Sequence, residues 1–97
     1  MSVFSKFQVA VADDWGPWYG NGYFDKADFL PLSGDVLVQF RVATAAQPED
    51  GKPLRAGLPV SLPGLQTVYG PTGPDAVRFK RRVQGLGATV DLDLWAA

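Results

Sequence analysis

AVRFKRRVQGLGATVDLDLW, residues 76–95, holds the tightest alternation of apolar and charged side chains in the chain. Folded back at Gly85-Leu86, it sets Gln84 opposite Gly87, Lys80 opposite Asp91, Phe79 opposite Leu92, Arg78 opposite Asp93 and Val77 opposite Leu94. Glycine at the first central position suits a two-residue type II′ turn, since glycine alone takes that positive φ without steric cost. A slip of one residue would send Phe79, Leu92 and Leu94 to solvent and the charges inward, so one register satisfies both faces. The stretch therefore predicts a C-terminal β-hairpin with one apolar and one charged face.

The same reading extends outward. Residues 3–11 alternate, with Val3, Phe7, Val9 and Val11 expected on one face, and residues 35–43 alternate more cleanly, with Val36, Val38, Phe40 and Val42 inward and Leu37, Gln39 and Arg41 outward. Asn21-Gly22, between Trp18-Tyr19 and Tyr23-Phe24, carries the strongest short hairpin signal. Residues 25–29 read as one helical turn or a loop, 30–34 as a turn and 66–69 as a short strand. Residues 45–57 and 70–75 are Gly/Pro-rich loops, while LPVSLPGL at 58–65 is broken by Pro59 and Pro63 and cannot supply a central strand. Eleven glycines and eight prolines divide the chain into short runs, and no window carries helical periodicity over three turns. The expectation is a single all-β domain over residues 1–97, a small antiparallel β-sandwich or barrel of jelly-roll-like kind with long Gly/Pro loops.

Composition limits the chemistry. The chain has no cysteine and no histidine, which removes disulfides, thiolate chemistry, the usual zinc and copper ligands and any side chain with an unperturbed pKa between pH 5 and 8. Nine basic and ten acidic residues give a net charge of −1, so the long-range attraction toward nucleic acid or anionic lipid is missing. No segment approaches about 20 apolar residues, and the first residues lack the apolar core of a signal peptide. Of the acidic pairs Asp13-Asp14, Asp25 with Asp28, and Asp91 with Asp93, Asp25-x-x-Asp28 lacks the Gly and terminal Glu of a calcium loop, Asp13-Asp14 precedes an aromatic turn as many loop carboxylates do, and ten carboxylates in ninety-seven residues produce close pairs by chance. No nucleophile stands beside a base, so the expectation is a non-enzymatic protein without cofactor or metal.

Function must then rest on surfaces. Trp15, Trp18, Tyr19, Tyr23 and Phe24 form an aromatic cluster with three uses open to it: plugging one end of the core, a protein interface, or stacking on sugar rings. Arg78, Lys80 and Arg82 share one strand face, where Arg78 and Lys80 would pair with Asp93 and Asp91. Arg81 points the other way by parity, to the core rim or to a carboxylate of its own or a partner chain. Outward Leu37 and Trp95 add apolar surface that burial between copies would remove.

TVYGPTGPDAVRFKRR at 67–82 and the closing GATVDLDLWAA at 87–97, within a cysteine-free and histidine-free β domain, resemble the small virion proteins of tailed bacteriophages. Such proteins serve as head decoration, adaptor, or tail and baseplate subunits. The resemblance implies a homo-oligomeric structural subunit of capsid or tail, made in the host cytoplasm and placed in the virion. Its partners would be other virion proteins and copies of itself, with no nucleic acid and no membrane. Trp15, Trp18, Tyr19, Tyr23, Leu37, Arg81 and Trp95 are the candidate contact residues. The alternative is a carbohydrate-binding module in which Trp15, Trp18 and Tyr23 stack on a glycan.

Overall fold

In the computed structural model, which describes residues 1–42, 51–69, 73–85 and 87–96, the last strand is the one others gather around. β7 (Ala88–Trp95) alternates buried and half-buried at every residue and lies between β1 (Ser2–Val11) and β2 (Lys26–Ser33), antiparallel to both. β5 (Val60–Leu62) adds to the far side of β2, giving one sheet in the order β1-β7-β2-β5. The second sheet has the order β4-β3-β6, with β3 (Val36–Arg41) central between β4 (Lys52–Leu54) and β6 (Ala76–Arg81). One helical turn, α1 (Leu65–Tyr69), starts where the amides of Leu65 and Gln66 donate to the carbonyl and carboxylate of Asp25.

The two sheets face each other as a sandwich. Between them Phe29 of β2 meets Phe79 of β6 edge-on at 5.8 Å and Phe40 of β3 at 6.1 Å, while fully buried Phe24 packs on Phe40. Val9, Val11, Val90, Leu92 and Leu94 fill the first sheet's inner face, and Val36, Val38, Leu54 and Val77 the second's.

The predicted C-terminal hairpin does not form. β6 and β7 lie in opposite sheets, so Val77 and Phe79 meet Leu92 and Leu94 across the core instead of side by side. An apolar face on each of two successive strands fits an arch between sheets as well as a hairpin within one. The arch prevails because β7 thereby gains two ladder partners, β1 and β2, while β6 gains β3. Leu86 of the turn lies outside the described residues, as do the last residue of the expected strand 35–43, residues 44–50 leading into and through the start of the expected loop 45–57, and 70–72 of the other expected loop.

Other expectations change for local reasons. Residues 25–29 and 30–34 are mostly strand β2, with Ala27, Phe29 and Pro31 inward and Lys26, Asp28 and Leu30 outward. Pro31 is tolerated because its carbonyl accepts the Gly57 amide, so its donor side points away from β7 and lies past the last residue that β5 pairs. The true corner is at Gly34, φ +72°, between sheets. Residues 66–69 are helical instead of extended. Asn21-Gly22 forms no hairpin: among the described residues, 12–25 hold only an isolated bridge, Tyr19 to Val77. Pro59 and Pro63 bracket a three-residue edge strand, as their chemistry demands.

Phe7 is the largest departure in β1. The register shifts between Lys6 and Val9, leaving Phe7 and Gln8 together opposite Asp91 as a β-bulge. Gln8 takes φ +54°, and its amide donates to the Asp91 carboxylate at 2.8 Å. Parity therefore flips, so Val9 and Val11 point inward while Phe7 is 72% exposed.

Candidate functional site

Residues 12–19 run from β1 to the other sheet and strap its free edge. The Arg81 amide donates to the Ala12 carbonyl (2.8 Å), the Gly16 amide to Phe79 (3.0 Å), and Tyr19 and Val77 exchange amide–carbonyl bonds of 2.7 and 2.8 Å. The strap occupies hydrogen-bonding groups that β6 would otherwise present as an open edge.

Trp15 and Trp18 fold from this strap over the outer face of the second sheet and interleave with its cations. The Arg78 guanidinium lies 4.5 Å from the Trp18 ring centre and 5.1 Å from that of Trp15. Arg41 stands 5.5 Å from the other end of the stack at Trp18, and Lys80 5.9 Å from Trp15. The order Arg41, Trp18, Arg78, Trp15, Lys80 makes an alternating cation–aromatic ladder, each contact worth about 0.5–2 kcal/mol depending on desolvation. Gln39 beneath it is only 4% exposed and accepts from Arg78 Nε at 2.8 Å. Asp75 receives Arg41 through two bonds of 2.8 and 3.3 Å, which push the guanidinium pKa up.

The outer face of the first sheet is organised differently. Ser5, Asp93, Asp28 and Ser61 stand in one row across β1, β7, β2 and β5. Asp28 and Asp93 are direct cross-strand partners, a like-charge opposition that costs stability. Each is held: Asp93 accepts from the hydroxyls of Ser2 and Ser5 at 2.7 Å, and Asp28 accepts from Trp95 Nε1 at 2.8 Å with Lys26 Nζ at 3.7 Å. Beside the row, Phe7, Leu30, Pro59 and Val60 line an open groove of about 410 Å³ rimmed by Asp28, Asp91 and Asp93.

The remaining candidates separate. Tyr19 packs inward, 6.3 Å from Phe79 and 6.4 Å from Phe4, with Lys6 Nζ over its ring at 5.4 Å. Tyr23 is exposed, and Leu37 is half-buried opposite Lys80 and Pro53. Arg81 donates to the Val11 carbonyl (2.6 Å) and to Asp13 (3.1 Å) within its own chain. Asp13 also accepts the Gly85 amide at 3.0 Å; that bond first, and Arg81 with it, hold the Asp13 carboxyl below its usual range. Trp95 points outward, as its parity requires, with Lys26 5.6 Å over its ring. The expected pairs Arg78–Asp93 and Lys80–Asp91 do not exist, because the two strands occupy opposite sheets; Arg78 faces Gln39 and Lys80 faces Leu37.

Phe7 and Leu30 are not among the candidates the sequence offers, and Asp28 enters there only as half of an acidic pair with Asp25. Phe7 shares sequence parity with Val9 and Val11, and nothing short of the bulge reverses it. The opposition of Asp28 to Asp93 becomes visible only when residues 26–33 are read as a strand, against the weak β preference of Lys, Asp and Pro. Among the described residues, no group of three or more carboxylates is arranged to hold a metal ion; the groove presents an apolar surface bordered by Asp28, Asp91 and Asp93. The chain matches no protein-family model and no curated protein.

Proposed function

We propose that the chain is a non-enzymatic structural subunit, of the phage-virion kind its sequence resembles, which works through protein–protein contacts in a symmetric assembly. The outward Phe7 beside the Leu30-Pro59-Val60 groove carries this reading. Burying a phenylalanine is worth about 1.5–3 kcal/mol, and this chain forgoes most of it by bulging β1 so that Phe7 points to solvent. An apolar centre within a polar, charged rim is the anatomy of an interface. Against the glycan reading, Trp15 and Trp18 already have Arg78 against their rings, so neither offers the freely open platform that sugar stacking uses.

Light scattering after size exclusion, at two concentrations well apart, tests the reading. The wild-type chain is expected as a trimer or larger ring, and Phe7→Ser as a folded monomer with the circular dichroism spectrum of the wild type and a melt that no longer depends on concentration. A wild-type monomer at both concentrations, together with sugar binding that Trp18→Ala abolishes, would replace this reading by the glycan one.

A further inference from the structure

The near-zero net charge conceals a separation between the two broad faces. Among the described residues, the first sheet's outer face carries Asp28, Asp91 and Asp93 against Lys26. The second sheet's outer face carries Arg41, Arg78 and Lys80 against Asp75. The acidic face has a recess with an apolar floor, and the basic face presents cations stacked on indoles. Each offers what the other lacks.

From this complementarity we infer that the occupant of the Phe7 groove is a second copy of this chain, docked by the Trp15-Trp18 ladder of its opposite face. The inference rests on the assembly reading above and specifies its geometry. Joining one patch to a different patch is heterologous, so it propagates from copy to copy and closes into a ring or continues as a filament according to its rotation. A molecule with principal extents of 38 × 27 × 19 Å has broad faces large enough for the roughly 800 Å² per partner of a standard interface. Opposed charge also fixes the polarity of stacking: acidic face on acidic face, or basic on basic, sets like charges against each other and is disfavoured. Because the charges lie at the rim of an open contact, association weakens as salt rises.

Mixing two variants tests this directly. Phe7→Lys places a cation in the groove and spoils the acidic face, and Lys80→Glu spoils the basic one; both sites are on the surface, so each variant keeps one working face. Each alone is expected to run as a monomer by light scattering. An equimolar mixture is expected to associate into particles of at least two chains, which also shows that both variants are folded. Either variant assembling alone as the wild type does, or a mixture that stays monomeric while the wild type assembles, overturns the face-to-face geometry and leaves the assembly reading standing. A wild-type chain that is monomeric at both concentrations overturns both.

Discussion

The two outer faces of this sandwich are built from similar strands yet use their side chains in opposite ways. On the second sheet, Arg78 lies between two indoles, Gln39 is sealed beneath, and the strap closes the free edge of β6. On the first sheet, Asp28 is set directly against Asp93, and Phe7 is turned outward by a bulge that Asp91 holds in place. One face uses its aromatics to cover charge. The other leaves an aromatic uncovered among charges. A face that completes itself contributes to folding, whereas a face that accepts like-charge opposition and an exposed ring gains only when something covers it.

Breaking the closed face should give the largest effect. Gly20 directly follows the strap, where a Cβ would run into the carbonyl oxygen of Asp75 and come within 3.0 Å of the Ala76 Cα. These are backbone atoms and cannot swing aside. Gly20→Ala should therefore lift the strap from β6 and cost about 2–3 kcal/mol, read as a lower midpoint in urea denaturation. Increased tryptophan exposure to a soluble quencher would show that Trp18 moves with it. An unchanged midpoint would mean that the strap is a passive cover.

The open face should respond less. Asp91 takes the Gln8 amide that the bulge removes from the ladder. Asp91→Ala deletes this acceptor on an exposed surface and also relieves charge crowding, so the net loss should be about 0.5–1 kcal/mol. Its signature is local: amide exchange at Gln8 should quicken far more than at Val9 or Val11. Equal quickening along β1 would show that the bulge has no separate support.

The contrast between faces was legible in part. Residues 36–41 read correctly as an inward Val36-Val38-Phe40 face, and the inward set Phe79, Leu92 and Leu94 is buried as its alternation required. The partners of those strands were not legible, since the same alternation serves an arch and a hairpin, and only the competition for β7 between β1, β2 and β6 settles it. Trp15 and Trp18 stood out by composition, but their cation partners depended on β6 joining β3. Phe7 was hidden by a bulge whose hydrogen-bond partner, Asp91, lies more than eighty residues away. Local pattern tells which side chains go inward, and long-range pairing decides what the outward ones meet.

The smallest effect belongs to the place where the faces are joined. Asp13 heads the strap and accepts from the Gly85 amide and from Arg81, tying the end of β1 to the turn after β6. Both bonds favour the ionised carboxylate, so its pKa in the folded protein lies below the ordinary 3.8. A group with a depressed folded pKa binds fewer protons folded than unfolded. Its contribution is thus complete above about pH 5 and is lost as pH falls through 3.8 toward the lower folded value. Asp13→Asn should lower stability slightly at pH 7 and flatten the acid limb of the stability curve. Gly85 and Arg81 would keep an acceptor in the asparagine oxygen without the charge that strengthens both bonds. If the wild type and Asp13→Asn lose stability in parallel between pH 5 and pH 2, the clasp carries none of the acid sensitivity, and the strap is held by its backbone bonds to β6 and by the stacking of Trp15 and Trp18 on the cations.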